Sequence, residues 1–308
     1  MRNLICIILL PVILFLACRN DKIPTKTYKT KYVVIILMDG ARYTETYGSP
    51  TKEYIPNLFN SLSSKGSWNN TFYNTGATNT VNGHVAITTG FIENNLDNNG
   101  NEQPSFHSLF QDWLKANPLK KNKAWIITSK DKLEILSNTI ENNWKNHFLP
   151  SVDCGLNGLG SGYRDDSVTY AHSIKVIEKH HPNLLLINFK DPDVFGHAGD
   201  YAQYVNSIQV TDFYIMKIWN AIESDPEMAG NTTLIVTNDH GRHTSNFQHH
   251  GDDCDGCRHI MFYTCGPDFK SDYVISNTRS LIDIHATVSE LLGIQNYRRG
   301  NVMTELFK

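Results

Sequence analysis

The sequence predicts an α/β fold in which helices flank a central, mostly parallel sheet. Short continuous apolar runs recur at residues 33–38, 184–189 and 233–237, and such runs are typical of buried parallel strands. Stretches with helical periodicity separate the runs, and this alternation indicates a layered sheet. An aspartate follows each run within a few residues, and open α/β sheets place their sites at the carboxyl ends of strands.

The other predicted elements continue this alternation along one large domain. The length of 308 residues, with 40% hydrophobic residues, is sufficient for one core, which we assign to residues 31–308. The glycine-rich segment 155–162 opens no strand–helix turn, so we interpret it as a flexible loop rather than a phosphate cradle. Helices are predicted for residues 57–65, 82–89, 106–116, 165–180, 201–222 and 281–292, and further strands for residues 124–128 and 259–264.

The N-terminus has the pattern of a targeting segment. Arg2 precedes an apolar stretch at residues 4–16, which is too short to span a bilayer comfortably but suits a signal peptide. The stretch ends in Leu-Phe-Leu-Ala-Cys and resembles a bacterial lipobox, which implies lipidation of Cys18 at the end of an eighteen-residue signal. An ordinary cleaved signal or an uncleaved anchor remains an alternative. Residues 19–30 are interpreted as a polar tether.

These features predict where the protein acts and which partners it has. A lipid anchor at Cys18 places it in the envelope of a bacterium, in the periplasm or on the outer-membrane surface, with the membrane as a partner. The net charge of −3 provides no basic surface, so nucleic acid binding is not expected.

The cysteines are consistent with export to a disulfide-permissive compartment. We favour a local disulfide between Cys254 and Cys257. Half of a zinc site is the alternative, although the chain has no second Cys-x-x-Cys to complete one. Cys154 and Cys265 cannot be paired from the sequence.

The carboxylates and histidines after the strands indicate a site for two metal ions. Asp39 follows the first run, Asp193 and His197 follow the second as Asp-x-x-x-His, and Asp239-His240 follows the third. Each motif alone is weak, but together they provide the oxygen and nitrogen ligands that suit zinc, manganese or iron.

A threonine motif adds a candidate nucleophile and carries a family resemblance. Thr80 lies four residues before His84 and ten before Gly90, and the later motifs Pro-Asp-x-x-Gly-His (192–197) and Asp-His-Gly (239–241) follow in order. From residue 32 to residue 292 the chain resembles the alkaline phosphatase superfamily, in particular the branch of nucleotide pyrophosphatase/phosphodiesterases and threonine-type alkaline phosphatases. The resemblance implies an alkaline-phosphatase-like layered fold with Thr80 as the catalytic nucleophile.

The resemblance also implies two divalent ions, with zinc expected and manganese as the alternative. The side chains that would hold one ion are Asp39, Thr80, Asp239 and His240. Those that would hold the other are Asp193, His197 and a later histidine, for which we prefer His250 over His249 and His259. His243 is expected to contact a ligand side chain from behind, rather than an ion, or to lie in solvent.

Three further residues are candidates for binding the phosphate group. Lys130 and Lys132 resemble a Lys-x-Arg pair that contacts phosphate in threonine-type phosphatases, although a lysine in place of arginine provides a point charge and a looser grip. Two surface lysines at a strand end are an equally open interpretation. For an asparagine that contacts phosphate in relatives we choose Asn98 over Asn99 and Asn101.

We therefore expect an exported two-metal hydrolase that cleaves small-molecule phosphate monoesters through a phospho-threonine intermediate. The main alternative is a phosphodiesterase or nucleotide pyrophosphatase. A phosphoethanolamine-type transferase and an inactive metal-binding surface module are further alternatives. The Cys/Ser-x-Pro-x-Arg motif of sulfatases is absent from the sequence.

Overall fold

The computed structural model describes residues 27–118, 120–295 and 299–308. The predicted signal peptide, Cys18 and most of the predicted tether lie outside the described residues. The end of that tether is packed, because the Tyr28 ring lies 5.1 Å from the Phe307 ring and the Thr30 amide donates to Asp268 at 2.8 Å. The packed domain therefore extends to at least Tyr28 rather than beginning at residue 31.

Nine strands of the described chain form one mixed, mostly parallel sheet in the order β4-β3-β5-β1-β6-β7-β2-β8, with β9 paired to β2. The pairs from β4 to β6 are parallel, whereas β7 is antiparallel to both of its neighbours. The predicted α/β class is therefore confirmed. The strands are β1 (Tyr32–Met38), β2 (Gly66–Tyr73), β3 (Ala124–Thr128), β4 (Ser151–Cys154), β5 (Leu184–Phe189), β6 (Thr232–Thr237), β7 (His259–Cys265), β8 (Tyr273–Ile275) and β9 (Arg279–Ser280).

The central strand β1 shows why the sheet is covered on both sides. All seven of its residues are buried, and alternate side chains enter two separate hydrophobic clusters, Val33 with Ile35 on one face and Val34 with Ile36 on the other. Helices α1, α2 and α7 contribute to the first cluster, and α3 and α5 to the second. The helices are α1 (Thr80–Thr89), α2 (Leu109–Ala116), α3 (Asp166–His180), α4 (Asp191–Ala198), α5 (Tyr201–Ser224), α6 (Asp255–Arg258) and α7 (Leu281–Leu291).

The structure differs from the sequence expectation in several elements. The helix predicted at residues 57–65 is a π turn (Leu58–Leu62) followed by a 3-10 turn (Ser63–Lys65). Strands β2, β4, β8 and β9 and helices α4 and α6 were not predicted, because β2 is rich in polar residues and the others are short. No helix in the described part of the chain is long and apolar enough to cross a membrane.

Candidate metal centre

Four neighbouring parallel strands bring the candidate site residues to one edge of the sheet. Asp39 directly follows β1, Asp239 lies two residues beyond β6, and Lys130 lies two residues beyond β3. Asp193 lies in α4, which begins two residues after β5. The turn after Asp39 requires a glycine, because Gly40 has φ +65° and a Cβ atom there would lie 2.8 Å from the Asp193 carboxylate.

Asp39, Asp239 and His240, which we call the buried set, form one group of potential metal ligands, and all three are fully buried. His240 Nε2 lies 3.6 Å from Asp39 Oδ1 and 3.5 Å from Asp239 Oδ2. The Thr80 hydroxyl lies 3.4 Å from Asp39 Oδ1. The structure thus brings together the four residues expected to hold one ion.

Asp193, His197 and His250, which we call the exposed set after its one exposed member, His197, form a second group. Asp193 Oδ1 lies 3.4 Å from His197 Nε2 and 3.5 Å from His250 Nε2, and the two Nε2 atoms are 3.0 Å apart. Asp193 and His197 are four residues apart on α4, so their side chains share one face. The His197 side chain is 47% exposed.

The structure distinguishes among the three histidines that competed for the last ligand position. His250 belongs to the exposed set, and its other ring nitrogen lies 2.8 Å from the Thr78 carbonyl oxygen. His249 is exposed, and the His259 Nε2 atom lies 3.0 Å from the Asn70 carbonyl oxygen. The geometry therefore supports the preference for His250.

Both sets have the dimensions of zinc sites. With zinc–nitrogen and zinc–oxygen bonds of 2.0–2.1 Å, two ligand atoms of a tetrahedral site lie about 3.3–3.4 Å apart. The distances within the two sets, 3.0–3.6 Å, bracket this value. Asp239 Oδ2 and His240 Nε2 are also buried without a hydrogen-bond partner, which is costly unless an ion contacts them. The residues present therefore fit two divalent ions.

The histidines of the exposed set are held in the form that a metal ligand needs. Burial, followed by the neighbouring His240, lowers the pKa of His250 to about 2. Burial also lowers the pKa of His197. Both rings are therefore neutral at physiological pH, with ring lone pairs available for an ion.

Thr80 is the first residue of helix α1. Asn79 caps the helix by accepting from the Asn82 amide, and Asn98 Oδ1 accepts from the Val81 amide at 3.0 Å. Anions are stabilised at such a helix terminus. The hydroxyl of the neighbouring Thr78 is directed elsewhere, since it donates to the Asp252 carbonyl.

Lys130 lies between the two sets and is almost fully buried. Its Nζ donates to Asp39 and Thr80 at 2.9 Å and to Asp193 at 2.7 Å. Although burial lowers the pKa of Lys130, the charges of Asp193 and Asp39 raise it above the usual value. The ammonium therefore stays charged at the centre of the site, which excludes the interpretation of Lys130 as a surface lysine.

The other two candidate phosphate-binding residues lie together beside Thr80. Lys132 Nζ donates to the Asn98 carbonyl at 2.8 Å. Burial, followed by the charge of Lys130, lowers the pKa of Lys132 to about 8. The competing Asn99 and Asn101 instead direct their side-chain amides to Asp97.

Two residues of the centre were missed in the sequence. Arg242 is fully buried and donates to Asp193 Oδ1 at 2.6 Å, so it orients one carboxylate of the exposed set. Asn188 donates to Asp39 Oδ2 at 2.9 Å and lies 3.1 Å from His84 Nε2. The position of Arg242 directly after Asp-His-Gly was the available signal, whereas Asn188 lies within the β5 run and had none.

Comparisons with known proteins agree with this architecture. The family model of the Metalloenzyme superfamily matches residues 108–296. Two solved structures share the fold across about nine-tenths of the chain. Murine ectonucleotide pyrophosphatase/phosphodiesterase 5 superimposes with a TM-score of 0.65 at 13% identity, over 90% of this chain and 100% of that one. A protein of the alkaline phosphatase superfamily from Vibrio parahaemolyticus superimposes with a TM-score of 0.69 at 17% identity, over 91% and 71%. The predicted alkaline-phosphatase-like fold is confirmed.

Curated relatives match a shorter region. The 2,3-bisphosphoglycerate-independent phosphoglycerate mutase of Gracilaria tenuistipitata var. liui is 30% identical over 124 residues, which is 40% of this chain and 23% of the relative. The match thus spans less than a quarter of that relative's length.

Proposed function

This chain belongs to the Metalloenzyme superfamily, and from that premise we propose that it hydrolyses phosphate monoesters through a phospho-threonine intermediate on Thr80. Two divalent ions, zinc or alternatively manganese, would be held by the buried set with Thr80 and by the exposed set.

The observation that carries the proposal is the position of the Thr80 hydroxyl. It lies at the N-terminus of α1, 3.4 Å from Asp39 Oδ1 of the buried set and 2.9 Å from the Lys130 ammonium that also contacts Asp193. An inactive threonine-to-alanine variant of the murine phosphodiesterase was solved in complex with AMP, which supports a threonine nucleophile in this fold.

Different residues of this chain have different roles in the proposed reaction. Bound divalent ions would supply positive charge that favours the Thr80 alkoxide and the departing oxygen. The Thr80 hydroxyl loses its proton to solvent and its oxygen forms a bond to phosphorus as the ester P–O bond breaks, and the departing alkoxide takes a proton from solvent and leaves as the alcohol. Water then hydrolyses the phospho-threonine and regenerates the hydroxyl. Throughout, the N-terminus of α1, Lys130 and Lys132 attract the phosphoryl oxygens.

The choice of monoesters rests on the two lysines. A monoester carries one more negative charge than a diester, so a charged lysine beside the nucleophile favours the monoester more strongly. Lys130 is charged and within hydrogen-bonding distance of Thr80, and Lys132 lies behind Asn98, whose side chain contacts the next amide of α1.

Phosphodiester or nucleotide pyrophosphate hydrolysis is the second candidate. It is favoured by the similarity to the murine phosphodiesterase and by the lysine in place of the arginine that grips a dianion with two hydrogen bonds.

Parallel rates on an aryl phosphate and a bis-aryl phosphate, with added zinc or manganese, test both candidates. We expect higher kcat/KM for the monoester, activity retained in Thr80→Ser, and loss of turnover by a factor on the order of 10³ or more in Thr80→Ala. Thr89→Ala, at a buried threonine at the other end of α1, is the matched control. A higher diesterase rate would favour the second candidate, and near-normal turnover of Thr80→Ala would refute the covalent route.

We also propose that the chain is exported and anchored by a lipid on Cys18, which is supported by the apolar run that ends at Ala17. Mass spectrometry of the mature N-terminus and membrane fractionation test this. Diacylglyceryl-Cys18 in the membrane fraction is the expected result. A Cys18→Ser protein that stays membrane-bound with its signal intact would indicate a transmembrane anchor instead.

A further inference from the structure

A third group of potential metal ligands lies outside the centre described above. It consists of His243, Asp252, Cys254 and Cys257, in the segment between β6 and β7. Both cysteines are free thiols, so the favoured disulfide between them is not formed in the structure. His243, which was expected to lie behind the ligands of the two-ion centre or in solvent, belongs to this separate group.

Three ligand atoms converge on one nitrogen of His243. His243 Nδ1 lies 3.4 Å from Cys257 Sγ, 3.7 Å from Cys254 Sγ and 2.9 Å from Asp252 Oδ2. A ring nitrogen carries at most one proton, so it cannot form a separate hydrogen bond with each of these three atoms. A cation at the centre of the group would contact all four side chains.

We propose that His243, Asp252, Cys254 and Cys257 bind a structural zinc ion. A tetrahedral site with zinc–nitrogen bonds of about 2.0–2.1 Å and zinc–sulfur bonds of about 2.3 Å places nitrogen about 3.5–3.6 Å from sulfur. The two nitrogen–sulfur distances, 3.4 and 3.7 Å, lie on either side of this value. Two thiolates favour zinc over magnesium or calcium.

The backbone around the cysteines supports this assignment. Cys254 is the N-cap of the single turn α6 and Cys257 is its third residue, and the Cys254 carbonyl accepts from the Cys257 amide at 3.0 Å. Cys257 is buried, whereas Asp252 is exposed, so an ion can enter from solvent.

The proposed ion would hold together the segment that completes the exposed set. The segment carries Arg242, which orients Asp193, and His250, which is itself a ligand. Within this segment, the backbone at Gly241 and the backbone at Gly256 approach so closely that a Cβ atom on Gly241 would lie 2.0 Å from the Gly256 carbonyl oxygen. Within the described residues this loop has little regular structure beyond α6, so a metal crosslink would limit its motion.

This assignment is independent of the proposed function, because none of its four residues belongs to the two-ion centre. The thiolate ligands give it a signature of its own. Cobalt(II) bound by thiolates has a sulfur-to-metal charge-transfer band in the near ultraviolet, whereas cobalt bound only by oxygen and nitrogen does not.

The experiment replaces zinc by cobalt in the full-length protein. We expect the charge-transfer band in the wild type and in Cys154→Ser, which alters a buried cysteine outside the group. We expect no band, and one metal equivalent less, in Cys254→Ser/Cys257→Ser. No band in the wild type, or an unchanged band in the double variant, would overturn the proposal.

A measurement on the wild type alone covers the case in which the double variant fails to fold. Zinc should protect Cys254 and Cys257 from alkylation, as located by peptide mass spectrometry, and a chelator should remove that protection. Equal alkylation with and without zinc would overturn the proposal. A peptide lighter by two hydrogen atoms in the native protein would also overturn it, because it would identify a disulfide.

Discussion

The buried set and the exposed set use similar ligands but are held in different ways. Asp39 and Asp239 follow adjacent strands, and the Gly40 amide donates to Asp239 Oδ1 at 3.2 Å, so sheet pairing itself positions the buried set. The exposed set combines an eight-residue helix with a loop residue and depends on Arg242 for its orientation. Under the proposed function, preorganisation by the sheet and exclusion of water would make an ion in the buried set tightly held and an ion in the exposed set more exchangeable.

The same substitution in each set tests this difference most directly. His240→Gln should weaken binding of one ion by about 10²-fold, because a lost ligand in a buried site leaves charged groups unpaired at about 1–3 kcal/mol. His197→Gln should weaken zinc binding to the exposed set by roughly tenfold or less, since water can replace a half-exposed ligand. Zinc titration against a competing chelator measures both.

His249→Gln, at an exposed histidine next to His250, is the control and should leave zinc affinity unchanged. If His197→Gln cost as much as His240→Gln, burial would not be what distinguishes the two sets.

Lys130 contacts both sets, so its removal should affect the reaction rather than one ion. Lys130→Ala should lower kcat/KM for monoesters by about 10- to 100-fold, because a charged hydrogen bond contributes roughly 1.5–3 kcal/mol. The loss for diesters should be smaller. Lys190→Ala provides the matched control, since Lys190 is also buried near this edge but pairs with Asp191. Equal losses on both substrates would remove the basis for the monoester preference.

A chelator should remove the two ions in sequence. We expect one fast and one slow phase of zinc release, because His197 of the exposed set is half-exposed to solvent whereas all three residues of the buried set are fully buried. A chromophoric chelator measures the release. The Cys254→Ser/Cys257→Ser protein is the appropriate background, since it excludes the third group. A single phase that releases both ions together would contradict the distinction.

The smallest effect expected is a pH dependence from Lys132. Its pKa is lowered to about 8, so the ammonium is present below that pH and is lost as the pH rises through it. KM for a monoester should therefore rise above about pH 8. Lys132→Arg should remove this rise, since arginine stays charged. A rise that persists in Lys132→Arg would assign it to another group.

The comparison also explains which parts of the site were predictable. Asp39 and Asp239 were identifiable because continuous apolar runs mark buried strands, and parallel strands deliver their carboxyl ends to one edge. Asp193 and His197 were identifiable because they form an Asp-x-x-x-His motif just after a buried run, although the helix α4 that brings the two side chains together was not predicted.

The sequence by itself therefore determined the fold class, the edge of the sheet that carries the site, and the ligand pairs joined by short spacings. Only the tertiary structure placed His250, rather than His249 or His259, beside Asp193 and His197, brought Lys130 between the two sets, and gathered His243 with Cys254 and Cys257. The physical reason is the range of the interactions. Periodicity and short spacings follow from local backbone geometry, whereas these contacts depend on the path of a loop and on side chains distant in the chain.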